Sequence, residues 1–551
     1  MNLLSFLSPL PLPFTYDEWK QKPFNERVRM LTVAWATQGY GAPVSVYLFY
    51  ILKIGLYIGG WLFFCGFSTN LGEVGQLSEW WFWPETIVKA ILWSILFEGV
   101  GLGSGSGPLT ARYLPPFAGI LHFVRPGTIK QPLIPNLPLI GGDTRNLFDV
   151  GVYLVYLGML IRALIAPEVT PEVLLPVLIL LPILGVLDRT LFLIARGEHY
   201  WIALLCFFFV DEALSGAKLV WWAIWWGAAT SKLNRHFPSV TAVMISNSAV
   251  LQFEWLRKKL YKAYPNDLRP STFTHLLAHM GTVIEFTFPL LLVFGDGGIM
   301  TQVALVMMFC FHLFITSNVP MAVPIEWNFM MVYGAFALFG GNASVSAFAL
   351  HSPILIGLLI LMLVIIPILG NLFPQYISFL LSMRYYAGNW AYSVWLFRGS
   401  EAEEKLDKHI VKASQTVMPQ LAHFYDAQTS ELLVSKVIAF RAMHLHGRVL
   451  QDLIPQTVDD IDAYIWRDGE LISGVVMGWN FGDGHLHHEL LLNAIQKRCQ
   501  YESGELRCIF VESQPFGRPH LDWRIVDAKD GQLKSGRTSI DELIDKQPWG
   551  S

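Results

Sequence analysis

The chain has 551 residues, of which 53% are hydrophobic and 14% aromatic, while only 15% carry charge. That balance excludes an ordinary soluble enzyme and points to a protein that crosses a membrane several times. The formal net charge of -4 gives no reason to expect nucleic acid. The five cysteines offer no paired spacings for a disulfide framework, and Cys65, Cys206 and Cys310 lie in apolar stretches as small core residues.

Residues 1–43 read as a cytoplasmic and interfacial segment. MNLLSFLSPLPLPF lacks a basic leader and is broken by prolines, so an interfacial anchor suits it better than a signal peptide. Lys20, Lys22, Arg27 and Arg29 precede a first span at 44–67. The loop after that span holds Glu73, Glu79 and Glu85 without Lys or Arg, which puts the N-terminus in the cytoplasm. A second span at 85–103 returns through Glu98 into FEGVGLGSGSGPLTARYLPP. Its alternating glycines suggest a phosphate cradle, but no strand precedes and no GK[ST] follows. Close helix packing or a re-entrant turn is the better reading. The loop to Asn146 sets Arg112, Arg125, Lys130 and Arg145 against Asp143. Within it, RPGTIKQPLIPNLPLIGGDTR has too much turn chemistry for a plain linker.

Spans three and four, at 147–165 and 173–191, flank the acidic APEVTPE. Residues 199–237 then run HYWIALLCFFFVDEALSGAKLVWWAIWWGAATSKLNRHF. As one helix this stretch would be about 50 Å long, too long for a hydrocarbon core of about 30 Å. A hairpin of two short helices turning near 211–216 brings Lys232 back to the face where His199 started. It also keeps the basic loop 231–274, with Arg257, Lys258, Lys259 and Lys262, in the cytoplasm. Spans at 275–294, 299–316, a ninth ending near Gly340, and 353–373 follow.

The predicted architecture is therefore an α-helical polytopic membrane bundle of about eight to ten transmembrane helices over residues 44–374, with both termini cytoplasmic at the inner membrane. MRYYAGNWAYSVWLFRG, within 375–400, reads as an interfacial helix. Residues 401–551 read as a soluble α+β domain. AYIWRDGELISGVVM and LDWRIVDAKDGQLKSGRTSI are predicted hairpins with DG turns, HHELLLNAIQKRC an amphipathic helix and RCIFVES a buried strand.

Ionisable groups inside membrane spans mark candidate sites, because each is costly there. Glu98, His199, Lys232, His279, Glu285 and His312 qualify, with Asp211 and Glu212 at the hairpin turn. A partly desolvated lysine and a neutral imidazole are the groups able to move protons near neutral pH. The plainer readings are snorkelling caps for His199 and Lys232 and a hydrogen-bonded core imidazole for His312. His312 is expected near the cytoplasmic end of its span, where it could share a cavity with His199 and Lys232. GWNFGDGHLHHELL gathers Asp483, His485, His487, His488 and Glu489, and HLHG follows the same HxH pattern at 444–447. No third and fourth ligand can be read from the spacing, so no metal is assigned, and Asp483 or Gly484 is expected near a helix N-cap.

GEHYWIALLCFFF, WWGAATSKLN, IEFTFPLLLVF and MMFCFHLFI, in that order, resemble four blocks of the HTTM (horizontally transferred transmembrane) superfamily. Its known enzyme is the vitamin K-dependent γ-glutamyl carboxylase. In that family a histidine follows asparagine in the first block, and a lysine is the proposed base toward the quinol. The resemblance covers about 190–340 and implies that His199 matches the histidine, Lys232 the lysine, Glu285 the glutamate and His312 the later FH. Glu198 stands where the family has asparagine, the His-to-Lys spacing is shorter, the large luminal β-domains are absent, and the charge pattern turns the site to the cytoplasm. The whole chain, including GGDTRN and GWNFGDGHLH, also looks like a bacterial family known as a transmembrane protein of unknown function. The leading expectation is an inner-membrane enzyme for a lipophilic substrate, a quinone or lipid, with Lys232, His199, His312 and Glu285 as its catalytic groups. The alternative is a lipid or solute carrier, or an assembly scaffold whose soluble domain binds a protein partner. The bilayer is the one certain contact, and the sequence names no cofactor.

Overall fold

Proline at the first turn starts three of the apolar helices, where its missing N–H costs nothing. The computed structural model describes residues 6–103, 111–115, 117–138, 140–319, 324–479 and 483–550. Most of the glycine-rich GLGSGSG turn lies outside them. We label the elements used below in chain order: α1 (Phe24–Gln38), α2 (Val44–Cys65), α3 (Pro84–Gly99), α4 (Leu147–Leu164), α5 (Pro171–Leu187), α6 (Ile202–Phe208), α7 (Ala213–Ser231), α8 (Phe237–Asn247), α9 (Thr272–Phe294), α10 (Ile299–Thr316), α11 (Ile325–Ala335) and α12 (Pro353–Leu372).

Five of these, α2, α4, α9, α10 and α12, are long and apolar enough to cross a membrane. Their outer faces leave Ile51, Leu52, Val283, Val306 and Ile354 exposed, a surface that suits lipid rather than water. Of the ten predicted spans, the others are shorter helices, except α7, which is nineteen residues long but not apolar enough to qualify. α3 is buried on nearly every side from Thr86 to Gly99, as a helix apolar all round should be. Its Lys89 is satisfied there by the carbonyls of Phe64, Leu164 and Ala166 at 3.0–3.1 Å.

The predicted helical hairpin is present, with its turn a little early at Val210–Glu212. The Glu212 carboxylate accepts the N–H groups of His351 and Ser352 at 2.8 Å, just before α12, which Ser352 itself caps through the Leu355 N–H. Lys218 donates to the carbonyls of Asn342 and Val345, beyond the end of α11 and its π-helical continuation Phe336–Gly341. The two arms differ in length. A π-helical turn at Gly197–Trp201 leads into the short α6, whereas α7 runs nineteen residues.

Strands β1 (Tyr261–Ala263) and β2 (Asp267–Pro270) form a small hairpin in the 231–274 loop. The C-terminal part is built on a five-stranded antiparallel sheet of β3 (Tyr392–Arg398), β4 (Tyr464–Asp468), β5 (Leu506–Val511), β6 (His520–Asp527) and β7 (Gly531–Ser539), in the order β4-β3-β5-β6-β7. Two expectations are corrected here. The segment read as an interfacial helix supplies β3, the buried strand next to the edge, with Trp395 opposite both Arg467 and Cys508. A run of aromatic and β-branched residues buries equally well on two sheet faces. The first DG hairpin is absent, because Asp468 caps a helix instead. Its carboxylate accepts the Glu470 N–H at 2.9 Å and Gly469–Val476 turns helical, leaving β4 to pair with β3. The second DG turn does join β6 to β7 with Gly531 at φ +80, and the predicted helix and strand are Glu489–Cys499 and β5.

This C-terminal part packs against the loops at one end of the helices. Helix Ala427–Met443 lies on α1. Lys436 donates to the Tyr40 carbonyl at 2.7 Å, Gln131 to the Leu486 carbonyl at 2.5 Å, and the Leu268 N–H to Gln547 at 3.1 Å. The proline-rich loop before Asn146 and the 231–274 loop therefore lie on the same side as the sheet.

Candidate functional site

Lys232 is the C-cap of α7, its N–H bonded to the carbonyls of Ala228 and Ala229. From α9, Glu285 meets its ammonium with both carboxylate oxygens, at 2.7 and 2.5 Å. Each side chain is only 4% exposed. The ammonium also lies 5.6 Å from the Phe237 ring and 5.7 Å from Phe311. Beside the pair opens a cavity of about 610 Å³ between α8, α9 and α10, with Val240, Met244, Ile284, Met307, Phe311 and Ile315 in its wall. A buried charge needs a partner, and this pair supplies the polar end of a largely apolar chamber.

His312 and His199 are held differently. Trp225 of α7 donates its indole N–H to His312 Nε2 at 3.0 Å, so the imidazole proton sits on Nδ1 and is given to Asn328 Oδ1 at 2.8 Å. Both ring nitrogens are thus engaged, the geometry of a bonded core histidine. Trp327 donates to His199 Nδ1 at 3.0 Å, which leaves the proton on Nε2, and that atom meets no acceptor among the described residues. Trp221 flanks His199 at 4.5 Å between ring centres. The same two helices hold both rings: α7 through Trp221 and Trp225, α11 through Trp327 and Asn328.

The expected single cavity for His199, Lys232 and His312 is not formed. Lys232 lies eleven positions beyond Trp221, a rise of about 16 Å along α7, because the arm starting at His199 is the shorter one. The cavity wall includes Lys232 and Glu285 but neither histidine. Around His199 a different polar group gathers. Arg196, at φ +55, pairs with Glu198 at 2.9 Å, and the Tyr385 hydroxyl donates to the same carboxylate at 2.9 Å. The guanidinium lies 5.2 Å from Trp327 and 5.5 Å from Tyr385. Glu198 is therefore bound to an arginine and a tyrosine.

Sequence reasoning passed over Lys53 and Glu326, a further ion pair in the helical region, 3.0 Å apart and almost fully buried. Lys53 also donates to the Gly103 carbonyl at 2.6 Å. Its signal was a lone lysine in the middle of the apolar VSVYLFYILKIGLY. Of the other candidates, Glu98 is buried near Glu326, while Asp211 and His279 are exposed.

In the C-terminal part, the GHLHHE residues form an acid–base chain. His485 Nδ1 is 3.4 Å from Asp483 and its Nε2 is 2.8 Å from Glu512. Glu512 also receives Arg524 at 2.8 Å and stands 3.5 Å from His488. His487 turns to the Ser393 hydroxyl at 2.7 Å. The other HxH motif lies apart, with His444 and His446 packed on Trp390. Among the described residues no group of three His, Cys, Asp or Glu side chains has metal-binding geometry. Asp483 begins the 3-10 turn Gly484–His487 without a side-chain capping bond.

Burial works against the charged imidazolium, but the Asp483 and Glu512 carboxylates hold His485 up at about 9. A group raised in this way stabilises the fold fully below its unfolded value near pH 6.5, and that stability fades as pH rises through about 9. We expect the unfolding midpoint of the full chain to fall across this window. The loss corresponds to about 3 kcal/mol, and His485→Gln should lack the slope. Burial raises and the two histidines lower the Glu512 carboxyl, with a net depression, so its contribution is lost only in strong acid.

Over residues 4–551 the chain matches the model of a family described as transmembrane protein of unknown function (DUF3556), and it belongs to that family. No curated protein and no solved structure matches it.

Proposed function

We propose that this transmembrane protein binds a lipophilic molecule, a quinone or lipid, in the cavity between α8, α9 and α10, and that Lys232 and Glu285 exchange protons with its polar end. The observation that carries this reading is the buried ion pair in the wall of a chamber of about 610 Å³. Apolar chambers with a few converging polar groups are the usual form of a small-molecule site. A lysine and a glutamate in contact can pass a proton between them without leaving an unpaired charge. The HTTM resemblance points to the same lysine and glutamate. In this reading His312 and His199 position α7 against α11, and His199 Nε2 marks a separate polar group. Mass spectrometry of organic extracts from the purified chain tests the idea. A lipophilic compound should accompany the wild type and be depleted in Ile284→Trp, which fills the chamber. Equal extracts from both proteins would remove the reading and leave a scaffold.

The charge pattern supports a cytoplasmic orientation for the end that carries this site and the sheet. Lys258 and Ser535 are exposed, on the 231–274 loop and on β7. Cysteines introduced at both positions should react with an impermeant maleimide only after lysis. Gly484 would be a poor probe, since a Cβ there would meet the Ala391 carbonyl oxygen at 2.0 Å. Labelling of both positions in intact cells would invert the orientation.

A further inference from the structure

On the other side of the α7 terminus runs a groove of about 1010 Å³ between α7 and α12, and it uses neither Lys232 nor Glu285. Its lower wall is apolar: Trp222 and Trp226 from α7, with Ile360, Leu363, Val364 and Ile368 from α12. Ile360, Val364 and Ile368 are 49%, 47% and 54% exposed on a helix suited to crossing a membrane, so this stretch opens toward the bilayer. Its upper end is basic. Arg235, Arg384 and Arg518 line it, against the single acid Asp541. Asp541 pairs with Arg235, whereas Arg384 and Arg518 have no ion pair among the described residues, the nearest acids acting on Arg384 being Asp483 and Glu512.

Those two are available to an anion. Arg384 is 2% exposed, yet among the described residues it has no ion pair. Its contacts are the Asn389 carbonyl at 3.3 Å and the Ser513 hydroxyl at 3.4 Å, and its Nε has no acceptor. Arg518 is exposed on the loop 514–519, where the Phe516 N–H donates to the Asn371 carbonyl at 2.9 Å. That bond holds the loop to the end of α12 and presents Phe516, 67% exposed, beside the last apolar residues of the helix. An exposed aromatic next to an arginine is what an interfacial contact requires. The helical wall from Leu359 to Leu372 rises about 20 Å, enough to span one leaflet, about 15 Å, of a core about 30 Å thick.

We propose that the groove holds an anionic membrane lipid from the leaflet on the side of the sheet, its acyl chain along α7 and α12 and its phosphate against Arg384 and Arg518. Guanidinium donors match phosphate oxygens in number and plane. The length of the apolar wall and the basic end together favour a lipid over a second protein helix, which would leave the two arginines without a counter-charge.

Native mass spectrometry of the full chain in detergent tests this, with phosphatidylglycerol and phosphatidylcholine of identical acyl chains as probes. Phosphatidylglycerol should bind at least tenfold more tightly. Arg518→Ala should weaken it about fivefold, the worth of one arginine near an anionic headgroup, and leave phosphatidylcholine unchanged. Arg518→Lys should keep most of the preference, and Val364→Trp, which fills the apolar wall, should weaken both lipids. Arg518 and Val364 are both surface positions, so these variants keep the fold where a change at the buried Arg384 would endanger it. Equal affinity for the two lipids would overturn the proposal, as would indifference to Arg518→Ala. So would full displacement by inorganic phosphate, or dimers of the chain that Val364→Trp abolishes.

Discussion

Lys232→Met is expected to abolish function and to destabilise the helical region by about 3–5 kcal/mol, since it leaves the Glu285 carboxylate buried without its cation. Lys232→Arg separates the two effects. A guanidinium can still pair with Glu285, so the protein should reach the membrane at near-normal levels and unfold close to the wild-type midpoint. It stays protonated at any working pH, so a step that needs a neutral base at this position should stop. Glu285→Gln should also lose function, at a stability cost similar to that of Lys232→Met, because each change strands one buried charge that can be relieved only by a change of protonation. The measurements are membrane abundance, unfolding midpoint in detergent, and rescue of the lipid profile of a deletion strain. Full rescue by Lys232→Arg would remove the proton-transfer reading and leave a carrier or scaffold.

Much of the helical layer could be read directly, because apolar runs of about twenty residues have few alternatives. The unequal hairpin arms could not. Their difference comes from the π-helical turn at Gly197–Trp201 and the left-handed Arg196, and hydropathy carries no trace of either. That difference is why Lys232 finds Glu285 rather than His199. The strand β3 was misread because Tyr392–Arg398 suits a membrane interface and a two-sided sheet equally well. Asp468 was misread because a DG pair fits both a hairpin turn and a helix N-cap, and the sheet partner that decides between them, β3, lies seventy residues away. Pairs such as Lys53–Glu326 join distant helices, so one member can be suspected from sequence but its partner cannot be named.

The basic residues before Asn146 carry a second lesson, and with it the other large effect. By count they outnumber Asp143 and suggest a cytoplasmic loop, yet Lys130 is bound to Asp149 at 2.6 Å and Arg145 to Asp188 at 2.7 Å, with all four side chains buried. Asp188 ends α5 and starts the next helical turn. Its carboxylate accepts Arg145, the Thr190 N–H at 3.1 Å, the Thr190 hydroxyl at 2.7 Å and the Gln131 N–H at 3.3 Å. Gln131 in turn reaches the Leu486 carbonyl, so this one acid fixes the proline-rich loop on which the C-terminal part rests. Asp188→Ala should therefore cost about 3–5 kcal/mol, through an unpaired buried guanidinium together with a lost helix cap. Arg145→Met should cost less, because the remaining carboxylate keeps its other donors. The double variant should be more stable than the sum of the two losses predicts, by about 1–3 kcal/mol, since removing both charges leaves neither stranded. Unfolding midpoints of the four proteins in one detergent complete the cycle. Strict additivity would show that Arg145 and Asp188 act separately, and the loop would then owe its order to its other bonds, Lys130 to Asp149 and Gln131 to Leu486.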